Sequence, residues 1–380
     1  MNSQPIFLIE SPHGWGGVWQ RPHHIFRLLG EEYPCYYVAT RYLRDAWLKK
    51  SEYLRGRYLA PARHLTVREI ILLNGERLPL IRSYNISHLA RTLNGFARVH
   101  PADRKILWLY DPHQVDIIDR VDHDLLVYDI MDEYTGFPWS PSGIAHEEER
   151  LLARADIVIA GTYALYESKK PLATHGTIDW ILSAVDFDFF HQASFPGEIP
   201  SDLNEIRSNY TFIAGYYGVV DMRIDIDLLA ACARHLPEWA FVLIGPLTGE
   251  KPRRLLEMKI PNIFLLGRRH YSTLPAYTRG FDACIIPFVL DNLTRHINPT
   301  KILEYCAAGK PVITIPIPDV LRFYQDCVTV AHNASDFVQA LKDASSPAAT
   351  HQKIIQGLEI ARTATWTQAV QRIKDKILNP

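Results

Sequence analysis

The sequence predicts an α/β protein of two doubly wound domains facing a cleft, on three observations. Short apolar runs recur along the chain, each of a length suited to a strand buried on both faces. Each run empties into a glycine-rich or polar loop followed by a helical pattern, the alternation that winds a parallel sheet. The alternation occurs twice, in a chain of 380 residues that is too long for one ordinary core. The expected boundaries are 1–190 for a first Rossmann-like domain, 210–360 for a second, and 361–380 for a C-terminal helix that packs back on the first.

Composition narrows the class. The hydrophobic fraction of 47% and charged fraction of 22% are those of a globular protein in water. A net charge of −1 argues against nucleic acid as a partner. The five cysteines, at 35, 232, 284, 306 and 327, show no C-x-x-C spacing and read as free buried thiols of a cytoplasmic protein. The start, M-N-S-Q-P-I-F-L-I-E, has no basic lead and reaches Glu10 after a few apolar residues, so it reads as a strand. No apolar run approaches the roughly 20 residues that span a bilayer.

Taken in order, Pro5 to Glu10 form the first strand, and S-P-H-G-W-G-G-V-W-Q-R-P-H-H leads to a helical pattern through Ile25, Phe26, Leu28 and Leu29. Gly14, Gly16 and Gly17 make a turn whose N–H groups can approach a phosphate, or a plain tight turn. After the strand Tyr36 to Ala39, residues Arg41, Arg44, Lys49, Lys50, Arg55 and Arg57 alternate with Tyr42, Trp47 and Tyr53. Such a segment suits peripheral contact with an anionic membrane or a lipid diphosphate, and equally a solvated helix face. Strands at Ile106 to Tyr110 and Leu125 to Asp129 end in D-P-H-Q and D-I-M-D-E-Y, which brings Asp111, His113, Asp132 and Glu133 to carboxyl strand ends. Asp132 is a candidate base, or together with Asp129 a helix cap.

A helix over E-E-E-R-L-L-A-R and a strand at I-V-I-A follow, and I-D-W-I-L-S-A-V-D closes the first half. Phe187 to Asn209, punctuated by Pro196, Gly197 and Pro200, reads as a linker. In the second half a strand ends at Gly218 and a helix begins near Ile226, with Arg223 between them, either forked onto a phosphate or at the surface. Strands follow at Trp239 to Gly245, N-I-F-L-L-G and Phe281 to Phe288. Ala361 to Leu378 reads as one amphipathic helix.

The stretch from His296 to Pro318, H-I-N-P-T-K-I-L-E-Y-C-A-A-G-K-P-V-I-T-I-P-I-P, carries the most chemistry. Asn298 is a candidate cap, Pro299 suits the first helical turn, and Gly309 suits a left-handed stop. A helix N-terminus with Lys301 in its first turn is a seat for a phosphate, and Glu304 can accept two hydroxyls of a ribose. An ordinary surface pair is the alternative.

The frame P-x-K-x-x-E-Y-x-A-x-G-K-P-V resembles the nucleotide-binding helix of the large retaining glycosyltransferases of family 4, which have the two-domain B fold. The E-x-x-L-L-x-x-A-D-x-V pattern of the first half fits that family, and Q-R-P-H-H is similar to bacterial polysaccharide glycosyltransferases. The family carries two glutamates eight positions apart in the frame. Glu304 matches the ribose glutamate, and His296 stands where the donor-sugar glutamate would fall.

The resemblance implies a donor site of Gly16, Gly17, Gly218, Arg223, the loop of Arg268 and Arg269 at the base, Asn292, Thr294, His296, Asn298, Thr300, Lys301 and Glu304. Arg21, His24 and Glu133 are expected at the acceptor, with Asp132 and His113 as catalytic candidates. Arg21 bracing the first loop is the other reading of that residue. The implied reaction moves a sugar from a nucleotide diphosphate, a uridine one, to a cell-surface polysaccharide or lipid-linked saccharide, without metal or other cofactor. A sugar-nucleotide 2-epimerase and a non-catalytic nucleotide-sugar-binding subunit are the alternatives.

Overall fold

The computed structural model describes residues 4–15, 19–44, 58–100 and 104–378. Gly16, Gly17 and the larger part of the basic segment, including Trp47, Lys49, Lys50, Tyr53, Arg55 and Arg57, lie outside the described residues. The chain forms two compact units, one of residues 1–182 with 370–380 and the other of residues 183–369.

The first unit contains an eight-stranded sheet in the order β3-β4-β2-β1-β5-β6-β7-β8. Its strands are β1 (Ile6–Ser11), β2 (Cys35–Tyr42), β3 (Tyr58–Ala62), β4 (Leu65–Leu72), β5 (Lys105–Leu109), β6 (Leu125–Ile130), β7 (Ile157–Ala160) and β8 (Thr177–Trp180). All pairs are parallel except β3 with β4. All six residues of β1 are buried, the mark of a central strand covered on both faces. The helices are α1 (Arg21–Glu32), α2 (Pro79–Val99), α3 (Ile144–Leu152) and α4 (Tyr163–Lys169).

The second unit opens with α5 (Phe187–His191) and α6 (Ser201–Arg207). Residues 187–209 are therefore not the expected linker. Phe190 and Leu203 are fully buried in the second core and Ile206 nearly so, and three such anchors outweigh the prolines as organisers. The sheet runs β11-β10-β9-β12-β13-β14, all parallel. Its strands are β9 (Phe212–Tyr217), β10 (Trp239–Ile244), β11 (Ile263–Gly267), β12 (Ala283–Ile286), β13 (Val312–Thr314) and β14 (Thr329–Val330). Helices α7 (Ile226–His235), α8 (Arg253–Glu257), α9 (Leu274–Arg279), α10 (Lys301–Ala307), α11 (Pro318–Phe323), α12 (Ala334–Ala344) and α13 (Pro347–Thr363) complete it.

The final amphipathic pattern is broken. It is shared by α13 and α14 (Trp366–Leu378), because Ala364 leaves the helical region at φ −100° and ψ 56°. The end of α14 belongs to the first unit, where Lys374 reaches Glu32 at 2.6 Å and Lys376 reaches Asp179 at 2.5 Å. All five cysteines are buried free thiols. Among the described residues no helix is long and apolar enough to cross a membrane.

Candidate functional site

In a parallel sheet all carboxyl ends lie at one edge, so the chemistry of each unit gathers there. In the second unit β9 ends at Tyr217, and Gly218 follows at φ +140°, a conformation open to glycine alone. The loop is laced to its neighbours: Gly218 N donates to Ile244 O at 2.8 Å, Asp225 N to Pro287 O at 2.8 Å, and Val289 N to Arg223 O at 2.7 Å. A side chain on Gly218 would stand 2.4 Å from Lys301 Cε. Gly218 is therefore the floor on which the lysine lies.

α10 has seven residues, Thr300 occupies its N-cap position without a side-chain bond, and Asn298 does not cap it. The Asn298 side chain is instead buried, with Nδ2 donating to Asp319 at 3.2 Å and Oδ1 accepting from Tyr324 at 3.3 Å. So short a helix has a weak dipole, and Lys301 in its first turn is the larger source of positive charge there. The other end fits the expected stop: Gly309 has φ +67°, and the bonds Gly309 N to Cys306 O and Lys310 N to Tyr305 O form a Schellman motif.

Lys301 Nζ lies 5.8 Å from the centre of the Tyr216 ring. Among the described residues no carboxylate is within ion-pair distance of it. Burial pushes its pKa down, with Glu304 opposing and Arg223 adding to the shift. Burial pushes Glu304 up, against the pull of Lys301. Two ionisable groups are thus held in a place that favours neither charge until a ligand supplies a counter-charge. Arg223 stands nearby, its Nε 2.9 Å from Asp221 Oδ1 and its NH2 2.6 Å from Oδ2.

Other predicted donor residues divide. Asn292 and Arg268 are exposed and His296 is half-buried. His296 Nδ1 donates to Asn292 O at 2.8 Å, which leaves Nε2 as an acceptor. Thr294 is no sugar contact: it is fully buried, and its Oγ1 is taken by Val289 O at 2.5 Å and by Asp291 N at 2.9 Å. Arg269 is tied to Tyr277 at 2.7 Å and Asp202 at 2.6 Å, so its side chain holds the loop. Tyr217 and Asp221 were not singled out by the sequence. The Tyr217 hydroxyl is buried beside Glu304, and G-Y-Y-G at a strand end is the one signal that marks it.

The geometry around Gly218 gives a test. Gly218→Ala is expected to push Lys301 off its floor and lower turnover about 100-fold, with the fold retained by circular dichroism. An unchanged rate would show that Lys301 does not need this position.

In the first unit the predicted residues have mostly structural partners. Arg21 is buried, with Nε 2.9 Å from Asp129 Oδ1 and NH1 donating to Ile181 O at 2.7 Å, so it braces the interior. The same pair removes Asp129 as a helix cap. His24 is buried against Trp19, with ring centres 5.1 Å apart, and burial lowers its pKa to about 3. Glu133 is bound to Lys169 at 2.8 Å.

His113 is held by Glu76 at Nε2 (2.5 Å) and by Glu147 at Nδ1 (2.7 Å). Burial alone would lower its pKa, but the two carboxylates carry it up to about 10. A cation with both nitrogens engaged is a brace, not a proton acceptor, which corrects its catalytic assignment. Asp132 remains, half-buried two residues beyond β6 and near Tyr134. His23 was missed although Q-R-P-H-H contains it: Nδ1 accepts from Gln20 N at 3.0 Å and Nε2 donates to Gly14 O at 3.1 Å, fixing the first loop.

Comparison with known proteins converges on this architecture. Residues 213–346 match the family described as Glycosyl transferases group 1. The chain is 22% identical over 286 residues to TuaH of Bacillus subtilis (strain 168), named as a teichuronic acid biosynthesis glycosyltransferase, and the match covers 71% of each. Among solved structures, sucrose-phosphate synthase from Thermosynechococcus elongatus superposes with a TM-score of 0.73 at 15% identity, covering 99% of this chain and 98% of that one. The UDP-forming α,α-trehalose-phosphate synthase of Burkholderia vietnamiensis gives 0.73 at 12%, covering 100% of both. HepE of Anabaena, solved with UDP and glucose, gives 0.66 at 15%, covering 100% of both.

Proposed function

Taking the chain as a glycosyltransferase of the B fold, we propose that it moves a sugar from a uridine diphosphate donor to a hydroxyl of a cell-surface polysaccharide or lipid-linked saccharide. One observation carries the donor reading: Lys301, without an ion-pair partner among the described residues, lies on Gly218 near Arg223 at the carboxyl edge of the second sheet. The uridine choice draws support from the UDP named with two of the structural neighbours, and the acceptor class from the name of TuaH.

In this reading Lys301 and Arg223 neutralise the diphosphate, where negative charge grows as the bond from sugar C1 to the phosphate oxygen breaks. The acceptor oxygen bonds to C1, and its proton passes to the departing phosphate with retention of configuration, or to Asp132 if the reaction inverts. Glu304 receives the ribose hydroxyls, His296 Nε2 receives a hydroxyl of the donor sugar, and neither step calls for a metal. The protein works at the cytoplasmic face, with the basic segment that begins at Arg41 resting on an anionic membrane.

Asp132 offers the second test. Asp132→Asn is expected to leave UDP binding intact while lowering turnover by about 10² to 10⁴. Unchanged turnover would remove Asp132 from the chemistry, and proton NMR of the product anomer fixes the stereochemical course. A thermal-shift screen of nucleotide diphosphates tests the donor, and equal indifference to all of them would sink the reading.

A further inference from the structure

We propose that the outward face of α2 is a docking surface for an anionic lipid bilayer. The helix buries Ile86, Leu89, Leu93 and Ala97 against the first core. At 100° per residue its other side carries Leu80, Tyr84, His88, Arg91, Arg98 and Val99 within a stripe of about 100°. Leu80 is 86% exposed, Val99 70% and Tyr84 50%, and Leu78 just ahead of the helix is 60% exposed. A single exposed leucine is ordinary, but Leu78 and Leu80 together at a helix start occupy places where a polar residue would serve a water-facing helix better.

The helix itself carries charge of one sign, and Asp122, which lines a hollow with Arg98 at its far end, is paired with Lys105. From Arg77 to His100 the chain holds Arg77, Arg82, Arg91 and Arg98 and no Asp or Glu. Arg82 turns inward to Asp116 at 2.8 Å and Glu147 at 2.8 Å. Arg91 and Arg98 have no ion-pair partner among the described residues. Burial, and then the charges of Arg91 and Arg68, hold His88 below its ordinary value.

Beside the helix lies a cavity of about 440 Å3, lined by Thr66, Arg68, Arg91, Thr92, Phe96 and His100, of a size and charge to admit a phosphate headgroup. The asymmetry extends to the whole chain. Residues 1–100 carry fourteen Lys and Arg against seven Asp and Glu, whereas the remainder carries 27 against 35. Leucine and tyrosine seat at the interface while arginines meet phosphates, which is the composition of a peripheral helix.

This deepens the membrane contact proposed above and rests on it, moving the contact from the basic segment to a described face. Vesicle binding requires neither donor nor turnover, so the outcome is independent of the sugar-transfer reading. The full chain is floated with phosphatidylcholine vesicles with and without a quarter of phosphatidylglycerol, at physiological salt. Leu80→Asp and the pair Arg91→Gln with Arg98→Gln are compared with the native chain. An aspartate in a first helical turn is favourable, so the former folds, and an unchanged circular dichroism spectrum and thermal midpoint confirm it for both.

The native chain is expected to float with the anionic vesicles alone. The arginine pair should weaken partitioning about 30-fold, and Leu80→Asp should lower it at least as much. Variants that float like the native chain, while Lys49→Gln with Lys50→Gln releases it, overturn the α2 surface and keep the membrane contact. A native chain that does not float overturns both. A native dimer in sedimentation that Leu80→Asp splits would assign the face to a second copy of the chain and overturn the lipid reading.

Discussion

Lys301→Met is expected to raise the thermal midpoint of the free protein and to abolish the further rise that uridine diphosphate causes in the native one. The first effect follows from burial: the ammonium is pushed toward its neutral form, so folding with the charge in place carries a desolvation cost that methionine avoids. The second follows, on the proposed donor reading, from the loss of the cation set against the diphosphate. At a ligand concentration 100-fold above Kd the native protein gains about 2.7 kcal/mol, and the variant should gain none. Lys301→Arg, which keeps charge on a bulkier head against Gly218, should recover part of the binding. A UDP shift that survives in Lys301→Met would place the diphosphate elsewhere.

The pH dependence carries a definite sign. Because the folded pKa of Lys301 lies below the ordinary lysine value of 10.5, UDP affinity should fall as pH rises, and the fall should begin before exposed lysines titrate. Isothermal calorimetry across the alkaline range reads this directly.

His113→Leu should have the opposite character, a large loss of stability with turnover per folded molecule unchanged. Removing the imidazolium leaves Glu76 and Glu147 facing each other across a half-buried site, and breaking such a cluster costs about 3–5 kcal/mol. The folded pKa, about 10, lies above the ordinary value of 6.5. The contribution of His113 is therefore fully present below pH 6.5 and is lost as pH climbs through 10. Urea titrations of native chain and variant should differ most at acidic to neutral pH and converge in alkali. A variant of native stability that has lost turnover would restore His113 to the chemistry.

These two residues also mark how much could be read from the chain. The strands were legible because I-F-L-I-E, W-A-F-V-L-I and D-A-C-I-I are apolar runs with no competing periodicity, and each lies within a residue or two of where it was expected. Gly309 was legible because a left-handed stop before proline has few alternatives. Asn298 was not, since the chemistry that suits a cap also suits a buried bond to Asp319, and only the distant partner decides. His113 failed for the same reason, its two carboxylates being 37 and 34 residues away. Phe187 to Asn209 was misread because Pro196, Gly197 and Pro200 are conspicuous in a sequence, whereas the burial of Phe190 and Leu203 is visible only in three dimensions. Lys301 and Glu304 were found because one turn of helix sets them side by side, a local relation that spacing does encode.

Lys310 gives α10 an asymmetry between its two ends. Just past the Schellman stop, its Nζ donates to Arg279 O at 2.9 Å and Phe281 O at 2.7 Å, riveting the far end of the helix to the end of α9 and the turn that leads into β12. The near end opens into a loop where Leu293 and Thr294 are buried and the side chains of Asn292 and His296 reach outward. Substitutions at the outward positions of that loop leave the rivet, and with it the register of Lys301 and Glu304, untouched. On the donor reading proposed above, substitutions at Asn292 and His296 are the ones expected to change the donor sugar while leaving Lys301 and Glu304 in place.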